Sequence, residues 1–169
     1  SEGTCRDFIE VCAPACPTDE MGVPDPACRK ACEDALSEQG AANLKAYLDC
    51  IVAEACYTYE PGDARTNCEE EKCRAERIGC FHGDQPCSAI TTCMNACPPT
   101  GHGCLSDCIA EGTVEAQLAY YAISDCARAA CCPESPDACT GAEFAACATA
   151  SYDKDGACES TVLACVNDK

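Results

Sequence analysis

Twenty-two cysteines stand in a chain of 169 residues, and no other feature limits the available folds as tightly. At about 13% of the residues they exceed the level that marks a disulfide scaffold. Their number is even, as complete pairing requires. Each closed loop contributes on the order of 2–4 kcal/mol, chiefly by restricting the unfolded chain. The chain needs such help. Leu, Ile, Val and Phe number 6, 6, 6 and 3, about 12% of the residues, where roughly 20% is the level below which a highly charged chain is expected to be disordered. The 47% hydrophobic share is made up mostly of 29 alanines and the 22 cysteines, and alanine buries little area. Twenty-nine acids against 11 bases leave a net charge of −18, which repels itself in any compact state. Sulfur bridges are therefore expected to supply what aliphatic side chains do not.

Disulfides persist in oxidising compartments, so the sequence predicts a secreted, cell-surface or periplasmic protein. The chain opens Ser1-Glu2-Gly3-Thr4-Cys5 with no apolar stretch, which reads as a mature form after removal of an export segment. Metal binding is the rival use of many thiols. Zinc knuckles show CxxC, and this chain has none. Its short spacing is CxxxC, at Cys12/Cys16, Cys28/Cys32, Cys93/Cys97 and Cys104/Cys108. Residues four apart share one face of a helix, so two antiparallel helices can be stapled by two rungs: Cys12–Cys32 with Cys16–Cys28, and Cys93–Cys108 with Cys97–Cys104. Cys56 is expected to bridge to Cys68, while Cys5, Cys50, Cys73 and Cys80 are not placed by spacing. The double CxxxC resembles that of plant α-hairpinins over a single hairpin. CxxxC on helices also resembles bacterial copper-storage proteins, which implies a thiolate bundle for Cu(I), a soft cation.

The cysteine spacings repeat. The first half runs Cys12-x3-Cys16-x11-Cys28-x3-Cys32-x17-Cys50-x5-Cys56-x11-Cys68, and the second runs Cys93-x3-Cys97-x6-Cys104-x3-Cys108-x17-Cys126-x5-Cys132-x6-Cys139. The x3, x3, x17 and x5 intervals recur in order, and the differences fall between them. Cys5 falls in register with Cys87, and Leu48-Asp49-Cys50 faces Ser124-Asp125-Cys126. The first repeat holds ten cysteines, to Cys80; the second holds twelve, among them Cys131, Cys147, Cys158 and Cys165. Each repeat can close internally. The expected architecture is all-α, a disulfide-rich tandem duplication of a roughly four-helix unit, with repeat 1 at 1–82 and repeat 2 at 83–169.

Caps and stripes place the helices. Thr4 with Asp7 is a variant capping box for a helix carrying Cys5, Phe8, Ile9, Cys12 and Cys16, which Pro14 ends or kinks. Cys5/Cys12 and Cys73/Cys80, seven apart, are expected to be nearly eclipsed. Asp25 precedes Pro26 at a helix start; Cys28, Ala31, Cys32, Ala35 and Leu36 form its buried stripe, and Gly40 stops it. A third helix is expected over about 42–58, with Leu44, Leu48, Ile51 and Ala55 on one side. Cys50 and Cys56 there point about 120° apart, which predicts a central helix tied on two sides. Thr66 and Glu69 read as a capping box for a fourth helix, with Arg74 and Arg77 in its last turn and Gly79 after it. In the second repeat a short helix begins near Pro86, others cover about 103–111 and 113–131, Thr140 with Glu143 caps a helix through Cys147, and the last spans about 157–166. Strand patterning is weak throughout.

Chemical motifs are few. Ser151-x-Asp153-x-Asp155-Gly156 resembles the start of an EF-hand loop, but Ser151 stands where Asp belongs and Val162 where the bidentate Glu belongs. Asp153 and Asp155 remain the weak Ca²⁺ candidates, and the bland reading is an acidic turn. His82 and His102 sit beside glycines, each two residues from a cysteine, and read as solvated loop residues. No GxSxG, HExxH, P-loop or GxGxxG occurs. The adjacent Cys131 and Cys132 are expected to face different neighbours rather than each other. A basic, aromatic-interleaved surface for nucleic acid is absent, and no stretch suits a membrane span. No catalytic residue and no cofactor are expected. The function predicted is a non-enzymatic secreted or surface module, structural or adhesive, self-assembling head-to-tail or binding another extracellular protein. The alternatives are a secreted binding or inhibitor module and a Cu(I) store.

Overall fold

The structure, a computed structural model, describes residues 3–60, 62–98, 102–133 and 141–168. The described residues are mostly helical and include no strand; two isolated bridges join Thr18 to Pro24 and Gln85 to Gly112. The chain divides into two compact units, Ser1–His82 and Gly83–Lys169. In unit 1 a π-helical turn, Asp7–Cys12, runs into a 3₁₀ turn, Ala13–Ala15. It is followed by α1 (Pro26–Asp34), α2 (Glu38–Ala53), a 3₁₀ turn at Cys56–Thr58, α3 (Asp63–Lys72) and α4 (Arg74–Cys80). Unit 2 comprises α5 (Cys87–Asn95), α6 (His102–Ala110), α7 (Val114–Cys131), α8 (Gly141–Tyr152) and α9 (Glu159–Val166).

Side-chain caps start several of these helices. Asp7 N–H donates to Thr4 Oγ1 at 3.1 Å, and Thr4 N–H donates back to Asp7 Oδ2 at 3.2 Å. The Thr4 hydroxyl also donates to Asp7, and this hydrogen bond holds the Asp7 carboxyl below its ordinary range. Asp25 accepts from Ala27 N–H and Cys28 N–H ahead of Pro26. Ser37 caps α2 by accepting from Gly40 N–H at 3.0 Å, and Thr113 caps α7 by accepting from Ala116 N–H at 3.1 Å.

Gly40 does not end a helix. It lies in the first turn of α2 because Ser37, three residues earlier, is the cap. A side chain at Gly40 would collide with the Gly3 carbonyl oxygen, so the glycine answers a close approach from a distant segment. The Thr66–Glu69 pair is likewise no cap: α3 begins three residues before Thr66, and Glu69 is turned into the interior. The expected single fourth helix breaks at Cys73 (φ −120°, ψ 28°) into α3 and α4. Gly79 lies inside α4, where its carbonyl accepts from Asn43 of α2 at 2.7 Å.

Helix α2 packs mainly against α4, and its buried residues are Gly40, Leu44, Tyr47 and Ile51. Leu48 is 41% exposed, and Ala55 is exposed too, because the stripe facing α4 runs through Tyr47 instead. The 120° separation expected of Cys50 and Cys56 does not apply. Ala55 turns left-handed (φ 57°) and takes Cys56 out of the helix. On α1 only Cys32 is buried; Cys28 and Leu36 are half-buried, and Ala31 and Ala35 are exposed. Of the 23 buried apolar side chains among the described residues, ten are cysteines, so sulfur forms a large part of each core. No described helix is long and apolar enough to cross a membrane.

Candidate functional site

Two cysteines on one helix can bridge only to elements that their side chains face, so the pairing reads out how the helices are arranged. Unit 1 contains Cys5–Cys80, Cys12–Cys32, Cys16–Cys28, Cys50–Cys73 and Cys56–Cys68. Unit 2 contains Cys87–Cys165, Cys93–Cys108, Cys97–Cys104, Cys126–Cys158 and Cys131–Cys147. Cys132 is also disulfide-bonded, and no described cysteine is free; Cys139 and Thr140 lie outside the described residues. The antiparallel double rungs that CxxxC predicts are present in both hairpins, as is Cys56–Cys68. Cys50 and Cys56 are both tied to the segment 63–73, so α2 is held from one side rather than two.

Cys5 and Cys12 are not eclipsed, since they bridge to α4 and α1 respectively. The π winding explains this. It turns roughly 80–85° per residue, so seven steps sweep about the same arc as six α-helical steps. Six steps separate Cys87 from Cys93 on α5, which bridge to α9 and α6 in the same way. Cys73 and Cys80 escape eclipse because the chain breaks at Cys73.

Within each hairpin the two rungs touch. Cys16 Sγ lies 3.9 Å from Cys32 Sγ, and Cys97 Sγ lies 3.7 Å from Cys108 Sγ. The sulfur atoms of Cys16, Cys28 and Cys32 fall within 4.8 Å of one another, as do those of Cys97, Cys104 and Cys108. Among the described residues these are the only places where three Cys, His, Asp or Glu donor atoms converge so closely. The Ser151–Gly156 turn is not such a place. Ser151 Oγ donates to the Ala148 carbonyl inside α8, and Asp155 N–H donates to Glu159. Asp153 and Asp155 are both exposed, so the EF-hand resemblance stops at the spacing. His82 is exposed, while His102 opens α6 rather than lying in a loop.

The only buried charged side chains among the described residues are Glu69 and Arg77. Glu69 Oε2 accepts from the Tyr47 hydroxyl at 2.6 Å, and Glu69 Oε1 meets Arg65 Nε at 3.1 Å. Arg77 approaches Glu69 at 4.0 Å and Glu70 at 3.8 Å, with its guanidinium 5.4 Å from the Phe81 ring centroid. Phe81 in turn meets Tyr47 edge-on at 5.3 Å. Burial, together with the Glu69 carboxylate, raises the Tyr47 phenol well above its ordinary range. This arrangement locks α2, α3 and α4 together. Its parts come from three elements, so no local pattern reveals it; the Glu69 spacing points to a cap instead.

A groove of about 330 Å³ opens between α1 and α2. Leu36, Ala41, Leu44 and Leu48 supply its apolar lining, with Glu33, Lys45 and Asp49 beside them. Arg29–Glu33 and Lys45–Asp49 are ion pairs on the exposed surface and add little stability. Farther along α2, Val52 is exposed, as are Tyr57 and Tyr59 beyond it. In unit 2, Leu163 and Val166 project together from α9, being three residues apart on one helical face. No protein-family model, curated protein or solved structure matches the chain.

Proposed function

We propose that the chain is a non-enzymatic extracellular, cell-surface or periplasmic module, built by tandem duplication of a disulfide-stapled helical unit, that self-assembles head-to-tail. The observation that carries this reading is the repeated order of the bridges. The double rung, the long bridge from the first helix to the last, and the bridge from the longest helix forward all recur in the same order. A second correspondence involves no cysteine. Ser37 N–H donates to the Gly3 carbonyl and Thr113 N–H to the Gln85 carbonyl, each at 2.9 Å. Both acceptors lie two residues before the first cysteine of their unit, and both donors cap the longest helix.

Cross-linking at this density suits an oxidising compartment and a role in which lasting shape matters. Two copies of one unit offer related surfaces twice on a chain, and heterologous contacts between such surfaces propagate. The apolar lining of the α1–α2 groove supplies one side of such a contact, and the Leu163–Val166 ridge supplies the other. Sedimentation velocity over a concentration series, with electron microscopy, tests the assembly. Wild-type chains are expected to form oligomers or filaments, and Leu48→Glu or Leu163→Glu to reduce them to monomers. A wild-type monomer at every concentration overturns self-assembly. Thiol titration of the denatured but unreduced chain tests the scaffold against the Cu(I) store: few free thiols support the scaffold, and many support the store.

A further inference from the structure

In each hairpin the touching rungs bring three sulfur atoms together as a metal needs them, and the fourth, on Cys12 or Cys93, is one bridge bond away from the trio. In a tetrahedral zinc–thiolate site with Zn–S of about 2.3 Å, neighbouring sulfurs stand about 3.8 Å apart. The cross-rung contacts, Cys16 to Cys32 at 3.9 Å and Cys97 to Cys108 at 3.7 Å, already have that length. We propose that each hairpin, once its two rungs are reduced, is a four-thiolate site for one zinc ion. Cys12, Cys16, Cys28 and Cys32 form the first site; Cys93, Cys97, Cys104 and Cys108 form the second.

The Cα atoms across all four rungs stand 5.7 to 5.8 Å apart. Cutting a rung lets its sulfurs part from about 2.0 Å to the tetrahedral edge, a movement of under about 2 Å that side-chain rotation can supply. Both helices can therefore stay in place. Cys16, Cys32 and Cys108 are buried, which keeps water from the metal, while Cys12, Cys28, Cys97 and Cys104 are half-buried and Cys93 is exposed, which gives the metal access. The other bridges lack this arrangement, since no further donor trio converges among the described residues. Four thiolates in tetrahedral order favour zinc.

The chemistry balances with a dithiol as reductant. Each rung takes up two electrons and two protons to give two thiols, and the dithiol closes to its own cyclic disulfide. Zinc then displaces four protons from the four thiols of a hairpin. A small-molecule disulfide as oxidant reverses the sequence: by thiol–disulfide exchange two such molecules take up the four electrons and leave as thiols, the two rungs re-form, and zinc is released. The hairpins thus have two fastenings, one metallic and reduced, the other covalent and oxidised. This inference does not depend on the self-assembly proposed above.

The test uses the full chain, reduced and held under anaerobic conditions. Cobalt(II) serves as the spectroscopic probe and zinc as the competitor. The visible bands of tetrahedral thiolate-bound cobalt are expected to saturate at two equivalents per chain and to disappear on addition of zinc. Cys28→Ser with Cys32→Ser removes one equivalent, and Cys104→Ser with Cys108→Ser removes the other. A map of maleimide labelling on the wild-type chain does not depend on how the variants fold. Zinc is expected to slow labelling of the eight hairpin cysteines about tenfold or more relative to the rest. Absence of the tetrahedral bands, or protection spread evenly over all 22 cysteines, overturns the proposal.

Discussion

Unit 1 and unit 2 share an order of bridges but not a core. In unit 1, α2 carries Tyr47 onto Glu69 of α3, with Arg77 of α4 alongside, so charge lies at the centre of the packing. In unit 2 the buried positions on α7 are Ala116, Gln117, Tyr121 and Ala127, and Gln117 Nε2 donates to the Gly112 carbonyl at 3.0 Å. The bridge from the longest helix forward spans 23 residues in unit 1 and 32 in unit 2. Much of the longer span is α8, which packs on α7 and carries an additional bridge, Cys131–Cys147. The lesson is a division of labour. The staples set the order in which helices meet, and the side chains between them are left to fill the space by polar or apolar means. Because a disulfide acts largely on the unfolded chain, it constrains the native interior less than packing does.

The sharpest way to break this comparison is to take the charge from one core only. Arg77→Ala leaves the Glu69 carboxylate buried with less positive charge nearby, at an expected cost of about 3–5 kcal/mol. Hydrogen exchange resolved by unit should show the loss in unit 1 and leave unit 2 unchanged. Next in size is removal of the extra staple. Cys131→Ser with Cys147→Ser is expected to cost about 3 kcal/mol, given its short loop. Exchange should speed up in α8 while α5, α7 and α9 hold, and collapse of the whole unit would show that the extra bridge is not an addition to a shared frame.

A smaller effect separates the two long helices at matched positions. Gly40 and Ala116 each stand three residues after the capping residue. Gly40→Ala forces a methyl group against the Gly3 carbonyl and is expected to cost about 2 kcal/mol. The reverse change, Ala116→Gly, costs about 1 kcal/mol through backbone entropy, to which the loss of a buried methyl group adds. Urea titration of the two variants compares them directly.

The smallest effect is that of Tyr47→Phe, about 1 kcal/mol at neutral pH for the lost hydrogen bond. Its signature lies in alkali. The folded Tyr47 pKa is raised above the model-compound value of 10.0, so its contribution is fully present below pH 10. It is lost as pH rises beyond that, because the unfolded chain releases its proton first. Tyr47→Phe should flatten this alkaline decline in unit 1. A slope unchanged by the substitution would remove Tyr47 as its source.

Features read correctly from sequence were local ones. Asp25-Pro26 and the Thr4–Asp7 pair start helices through atoms within three residues, and CxxxC compels a face-to-face hairpin wherever the helices form. Three of the misreadings share one cause, namely partners distant in the chain. Gly40 looked like a stop because the Gly3 carbonyl that demands it lies in another segment. Glu69 looked like a cap partner, but Tyr47 and Arg77 draw it inward. Leu48 fits an apolar stripe, yet α4 packs along Tyr47 and Leu44, and the opposite edge became the wall of the groove. The contact between rungs was hidden for the same reason, since it depends on how closely two helices approach.

The π-helical turn that ends at Cys12 carries a lesson about comparing such units. It takes in one more residue than α5 between matching cysteines and still aims them at the corresponding helices. A staple of this kind records rotation and is indifferent to count, like a protractor laid where a ruler was expected. Likeness between two stapled units can thus outlast the spacing of their cysteines, and the order of the bridges is its more durable mark.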